Sequence, residues 1–434
     1  MTKNGLLVFA AIAVAGVLGG PAAPARAQAS WPGGAYFVSP NGSDANDGLS
    51  RATPFASLDR AQKAMRSSAI KTTYLLGGLY SLAAPLGLGK ADSGESWLAA
   101  PGETPVLDGG GTTPMALRIG AAGVTVRWLT FHDFAQDGVY IQGASNLVID
   151  SNRFKTINST GWNQAAIMIV GTIVNGRITH NLIEDTQYDG ILSATSPTDN
   201  NSGLLIDGNL LKNTCISVND CGAIHANDRS HKGAGVTISN NVIHQFGDGK
   251  NLTSAIYLDD LMSNTTVENN IISGSGQFGM EVHAGDHNLI RNNIFDLSEA
   301  VGLVRYTTAG YVDPNDDMAG NVFTCNVVYS AAKAPAMLWL KQGPHVTPPL
   351  IHDNLYSPAA RQARDLPEMA DAHPVVADPG FADPSSGDYT LMSQGAPTFC
   401  DFHPIDARYA GPLPNLGGRA DLHRRNHRRQ WPGA

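Results

Sequence analysis

Charge is scarce in this chain. Only 15% of its residues are Asp, Glu, Lys or Arg, and acids outnumber bases enough to leave a net charge of −9. That balance excludes a broad nucleic-acid surface. It also argues against a polyanion bound along the whole molecule, although a local basic groove would escape the argument. The one basic run, 419–429 with HRRNHRR, lies in the C-terminal tail and reads as solvated. Long apolar runs are missing as well, except between Leu6 and Leu18, which follow Lys3 and precede Ala25-Arg26-Ala27. This pattern predicts a secretory signal over 1–27 and a mature chain starting near Gln28, secreted or periplasmic, with no membrane partner. Cysteine is limited to Cys215, Cys221, Cys325 and Cys400. No Cys/His spacing suggests zinc. Cys215 and Cys221 could staple a loop, and Cys325 and Cys400 could pair or stay free.

What the chain has in abundance is glycine, 47 residues of it, and asparagine in a repeated place. Between Ser254 and Ile294 one unit is written twice: AIYLDD, a short loop and TTVENNI, then GMEVHAGD, a short loop and NLIRNNI. The same strand-then-Asn pattern recurs at Asn152, Asn181, Asn209, Asn241, Asn270, Asn293, Asn326 and Asn354, at steps of 23 to 33 residues. Alternating apolar and polar positions predict strands, and a unit this short buries its apolar face only by stacking on copies of itself. The expected architecture is therefore an all-β parallel solenoid, with a core of about 22 residues per coil and loops of variable length. An Asn at one corner of every coil suits a left-handed bend, and stacked amides can bond from coil to coil. The division expected is a signal over 1–27, an N-terminal cap and first coils over 28–115, regular coils over 116–360, and an exit segment with the basic tail over 361–434.

The opening of the mature chain supplies a resemblance. VSPNGSDANDGLSRATPFASL, followed by an amphipathic helix from about Phe55, resembles the N-terminal cap of secreted right-handed parallel β-helix (pectate-lyase-like) proteins that act on polysaccharides. HPVVADPGFADPSSGDYTLMSQGAP, from His373, is similar to their exit segment. The resemblance implies a right-handed β-helix whose open end is covered by the helix, and it covers nearly the whole mature chain. It implies less about chemistry, because lyases, hydrolases, epimerases and inert proteins share this fold.

Aligning the coils predicts one strand face. Val139, Ile167, Ile191, Ile224, Ile256 and Met280 should point inward, and their neighbours should form two outward columns. One column is Tyr140, Met168, Leu192, His225, Tyr257 and Glu281; the other is Gln142, Val170, Ala194, Asn227, Asp259 and His283. Groups capable of chemistry concentrate in the coils of His225, Tyr257 and Glu281. Strand spacing sets the Asp259 and Glu281 backbones roughly 8 Å apart on one surface, which suits a pair of carboxylates dividing acid and base roles in glycoside hydrolysis, with a lean towards inversion. His225 and His283 could tune a carboxyl or hold hydroxyls, and Tyr257 offers a face for a sugar ring.

NDCGAIH, AIYLDD and GMEVHAGDHNLIRNNIF look like β-helical glycoside hydrolases with α-fucosidase and β-xylosidase members. That resemblance implies carboxylates at Asp220, at Asp259 or Asp260, and at Glu281. The expected catalytic set is thus Asp220, Asp259, Asp260 and Glu281, with His225, Asn227, Tyr257, His283 and Arg229 binding substrate and no metal or other cofactor. The plainer alternative is that Asp259-Asp260 merely turns a corner, as Asp137-Gly138 and Asp189-Gly190 do.

A lyase or epimerase acting on a polyuronate would instead need a base and a cation beside the carboxylate. Arg229, Lys232 and Lys250 lie in nearby loops, and Asp228, Asp259 and Asp260 could hold Ca²⁺. HANDRSH is similar to the DPHDRSH stretch of mannuronan epimerases, but Asn227 stands where their histidine base stands. The expected partner is a polysaccharide or oligosaccharide bound by a monomer, with hydrolysis ranked ahead of lyase or epimerase chemistry and a non-catalytic carbohydrate-binding protein third. The loop from Thr307 to Gly320 would wall one side of the cleft.

Overall fold

The repeated asparagines stack in a single buried row. In a computed structural model describing residues 34–157, 164–233, 235–249, 251–300, 302–309, 312–331, 336–341, 346–357, 370–392 and 399–416, the eight side chains from Asn152 to Asn354 are wholly buried. Each Nδ2 donates to the Oδ1 of the next Asn at 2.9–3.1 Å, and the last donates to Asp371 Oδ2 at 2.8 Å. Each backbone N–H donates to the same acceptor, as Asn209 does to Asn241 at 2.9 Å. A primary amide is both donor and acceptor, so a row of them satisfies itself without water.

The left-handed bend belongs to a different residue from the one expected. Ser151, His180, Gly208, Asn240, Asn269, Asn292, Cys325 and Asp353, each one place before its ladder Asn, take positive φ. The mid-coil Asn is recruited for its amide, and the residue before it makes the corner.

Between these corners the described residues form three parallel sheets of 12, 10 and 12 strands, each taking one strand from a coil, plus a two-stranded antiparallel pair near the exit. The strands Thr72–Leu75, Gly78–Ser81, Ser96–Ala99 and Pro105–Asp108 already belong to these sheets. Val139, Ile167, Ile191, Ile224, Ile256 and Met280 pair in register and are fully buried, as their alternation predicts. Rows of like residues then fill the interior, where burial contributes about 25 cal/mol per Å² of apolar surface.

The helix runs Leu58–Arg66, three residues later than expected, because the Ser57 hydroxyl caps it by accepting the Arg60 N–H. The motif that carried the resemblance acts locally. Asp44 accepts the amides of Ala56 and Ser57 and the Ser57 hydroxyl, and Asp47 accepts from Leu49 and Thr53, so the turn is tied to the helix start. Gln62 then donates to the Gly87 carbonyl at 2.7 Å on the outermost strand of the ten-stranded sheet, blunting that edge.

Both cysteine pairs are disulfides, Cys215–Cys221 across a mid-solenoid loop and Cys325–Cys400 tying the exit segment to a late coil. From Cys400 the chain runs back along the row of left-handed corners. His403 exchanges two bonds with the Asn292 side chain, Tyr409 offers its carbonyl to His180, Gly411 donates to the Gly208 carbonyl, and Leu413 bonds Ser151 and Trp128. Asn415 reaches the Ala99 carbonyl at 3.1 Å. The signal over 1–27, Lys250 and the basic tail lie outside the described residues.

Candidate active site

The ten-stranded sheet presents the two columns in the expected register. His225 pairs with Tyr257 and Tyr257 with Glu281, while Asn227 pairs with Asp259. The columns do not lie open, however: Met168, Leu192, His225, Tyr257, Glu281, Asn227 and Asp259 are all buried. Met168 and Leu192 close a small apolar cluster with Ala165, and beside it the polar groups pack against one another.

A chain of alternating acids and imidazoles crosses four neighbouring coils. Asp189 takes the Gly222 N–H at 2.7 Å and faces His225 Nδ1 at 3.3 Å. The far nitrogen, His225 Nε2, meets Asp259 Oδ2 at 3.2 Å, and Asp259 Oδ1 meets His283 Nδ1 at 2.7 Å. His283 Nε2 then donates to the Thr308 carbonyl at 3.1 Å. Both nitrogens of each ring face acceptors, which an imidazolium satisfies and a neutral ring does not.

The shifts follow from this geometry. Burial alone would strip the proton from His225, but the charges and hydrogen bonds of Asp189 and Asp259 overcome it and raise its pKa to about 10. His283 is raised in the same way against its burial, chiefly by Asp259. Burial pushes Asp259 up, yet the two imidazoles outweigh that and hold it below the usual carboxylate range. Asp189, fully sealed, is pushed up by burial with His225 opposing.

Glu281 has the opposite surroundings. It is 1% exposed, and loss of water drives its pKa up to about 7 even though Arg305 Nη1 lies 3.1 Å away and the neighbouring charge of His283 also pulls it down. Ser254 Oγ is 3.5 Å from its other oxygen. Tyr257 joins the groups. Its ring stacks on His225 with centroids 4.5 Å apart, and its hydroxyl donates to Asp220 Oδ1 at 3.2 Å. Burial first, then the charges of Asp259, Glu281 and Asp220, raise the phenol's pKa, so it remains a donor. Asp220 sits at a positive-φ turn before its strand, half-buried, with its carbonyl held by the Tyr188 hydroxyl.

The remaining expected residues have partners of their own. Asp260 has positive φ, no exposure, and the Arg229 guanidinium on its Oδ2 at 2.6 Å. Asn227 accepts the Thr195 N–H at 3.0 Å. Asp228 is bonded by Thr195 and Ser230 hydroxyls. Asp259, Asp260 and His283 bring ligand-capable atoms within 4.8 Å of one another, although each already has the partners given above. Two residues that matter lie outside the expected set. Asp189, in sequence one more Asp before Gly, anchors His225. Arg305 pairs in register with Glu281 and continues the outward column one coil further; reading GLVRYT against GMEVHA would have found it.

Residues 115–295 match the family model described as a right-handed β-helix region. No curated protein matches the chain. Among solved structures it is similar to a lacto-N-biosidase of glycoside hydrolase family 136 from Eubacterium ramulus, at 13% identity and a TM-score of 0.54 over 80% of this chain and 67% of that one. It is also similar to a rhamnogalacturonan lyase, at 13% identity and a TM-score of 0.47 over 91% and 98%. A mannuronic-acid-specific family 6 polysaccharide lyase from the human gut microbiota aligns at 14% identity and a TM-score of 0.47 over 71% and 86%. Identity this low speaks for the fold and leaves the reaction to the site. The chain carries a right-handed parallel β-helix, the fold it shares with the lacto-N-biosidase.

Proposed function

We propose that this protein hydrolyses glycosidic bonds of a polysaccharide or oligosaccharide, with Glu281 as the general acid. The observation that carries the reading is the contrast between two carboxyls on adjacent coils, Glu281 pushed up to about 7 and Asp259 held low by two imidazoles. Environments that push neighbouring acids apart are how one site keeps a proton donor and an anion together at neutral pH. In this reading Glu281 protonates the leaving oxygen. Asp259, kept ionised by its two histidines, sets its carboxylate beside the positive charge that develops on the sugar, and half-exposed Asp220, aligned by Tyr257, activates the water. Proton donation by a positioned acid contributes about 10²–10⁴-fold.

A second reading is favoured by Arg305, whose side chain is 23% exposed and could neutralise a uronate carboxylate while Tyr257 or His225 moves the proton. That would be a lyase. One screen of polysaccharides and aryl glycosides separates the two. New reducing ends without ultraviolet absorbance from an unsaturated uronate, lost in Glu281→Gln and Asp220→Asn, support hydrolysis. Absorbance growth that survives Glu281→Gln and is lost in Tyr257→Phe overturns it in favour of the lyase. If wild-type protein that binds an oligosaccharide yields neither signal, the protein is a binder and both readings fall. Localisation outside the cytoplasm belongs to the same proposal, and cleavage at Ala27 found by mass spectrometry of the native protein would support it.

A further inference from the structure

We propose that His231, Asp286 and Asp316 form a binding site for a divalent transition-metal ion, separate from the carboxyl groups of the candidate active site. The three residues come from loops that follow the strands Cys221–Asn227, Phe278–His283 and Gly302–Thr307 of one sheet. Each offers one ligand atom, and these lie within 4.8 Å of one another. Asp316 supplies the independent observation. Its side chain is only 2% exposed, and one oxygen, Oδ2, accepts the Gly285 N–H at 3.0 Å. The other, Oδ1, is buried, receives no hydrogen bond among the described residues, and faces His231, whose Nε2 is 3.8 Å away. Burial pushes the Asp316 carboxyl's pKa up, opposed by the Gly285 amide, His231 and the Met318 amide.

A buried carboxylate oxygen with nothing to bind costs free energy of desolvation, and a cation removes that cost. Asp313 Oδ2, 3.3 Å from His231 Nδ1, stands ready as a further acid. One imidazole with two or three carboxylates suits zinc or manganese. Calcium, which takes six to eight oxygens, fits this donor set less well. A turn of the partly exposed His231 ring would bring it within the ~2.0–2.2 Å reach of such an ion. The consequence is mechanical. His283 is held by the Thr308 carbonyl and Asp260 by Arg229, on two of the loops the ion would join, so it would fasten the wall of the cleft.

The test uses the full chain after chelator treatment, followed by thermal melting and calorimetric titration with ZnCl₂, MnCl₂ and CaCl₂. Zinc or manganese should raise the melting temperature of the wild type in a concentration-dependent way and bind at one site per chain. Binding should weaken at least tenfold in Asp316→Asn, and in His231→Gln, which changes a partly exposed ring and keeps the test readable should the first variant misfold. Equal binding by wild type and His231→Gln would overturn the site and assign the metal elsewhere, for instance to the histidines of the tail. A shift with calcium alone, or with no metal, would overturn it too.

Discussion

Two stacks of polar side chains climb this solenoid, and the coil repeat builds both. At one corner, eight identical amides each give and take a hydrogen bond, and the row is neutral and closed. On the ten-stranded sheet, Asp189, His225, Asp259 and His283 come from four adjacent strands, with His225 reaching across the register to Asp189 and Asp259, and they alternate in type, so each neighbour pushes the next one's proton up or down. Sameness along the axis yields a structural column. Broken sameness yields groups with displaced pKa values, which catalysis needs.

The strongest way to break the comparison is Glu281→Gln. Turnover should fall about 10²–10⁴-fold, while the melting temperature stays level or rises, because a sealed carboxyl driven up to about 7 by burial is a liability to the fold. Wild-type activity should in addition decline as pH rises through about 7, where that proton is lost. An activity that climbs over the same range would remove Glu281 as the acid.

The converse substitution is Asn241→Ala in the ladder. It strips partners from the Asn209 amide, the Ile206 carbonyl and Asn270, all buried, and should cost about 2–5 kcal/mol of stability in a denaturant titration. The pH profile of the remaining activity should not move. A ladder variant that melts like wild type would mean the row is ornamental.

Next comes pH dependence of stability. His225 is raised to about 10 in the folded state from an ordinary 6.5, so the folded protein holds a proton that the unfolded chain releases above 6.5. Its contribution is therefore complete below about 6.5 and lost as pH rises towards 10, with a slope of at most about 1.4 kcal/mol per pH unit. Asp259 acts in the other direction: its contribution is present above its ordinary 3.8 and disappears only as strong acid is approached. His225→Gln should flatten the alkaline slope, which melting curves at a series of pH values would reveal.

The smallest effect is expected from Tyr257→Phe. Losing the phenol's bond to Asp220 should cost about 0.5–1.5 kcal/mol and slow hydrolysis by a few-fold, measured as kcat with KM nearly unchanged. A loss as large as that of Glu281→Gln would make the phenol itself a proton donor.

The one-coil-per-step repeat, the inward row from Val139 to Met280 and the register of both columns were legible because one rule, alternation plus a corner Asn, repeats in the sequence. Two things were not. The left-handed corner is filled by Ser, His, Gly, Asn, Cys or Asp, and a position defined by backbone angle rather than side-chain chemistry leaves no repeated letter. The burial of Asp259 and Glu281 was hidden as well. Periodicity says which way a side chain points, whereas the loops that cover it differ in length from coil to coil. Asp189 shows the same limit, since an Asp before Gly looks alike whether it turns a corner or anchors an imidazole.

The segment that returns from Cys400 to Asn415 bears on how the protein is made. A solenoid can grow coil by coil as it leaves the ribosome, because each unit needs only its predecessor. Here the corners at Trp128, Ser151, His180, Gly208 and Asn292 gain their partners from residues 403–413, and Ala99 waits for Asn415, 316 positions later. During synthesis that whole seam stays unfastened until nearly the last described residue has emerged. The final stretch then closes it from the C-terminal coils back to the first, as a zip fastener runs, and a chain that stops early keeps its coils with an open side.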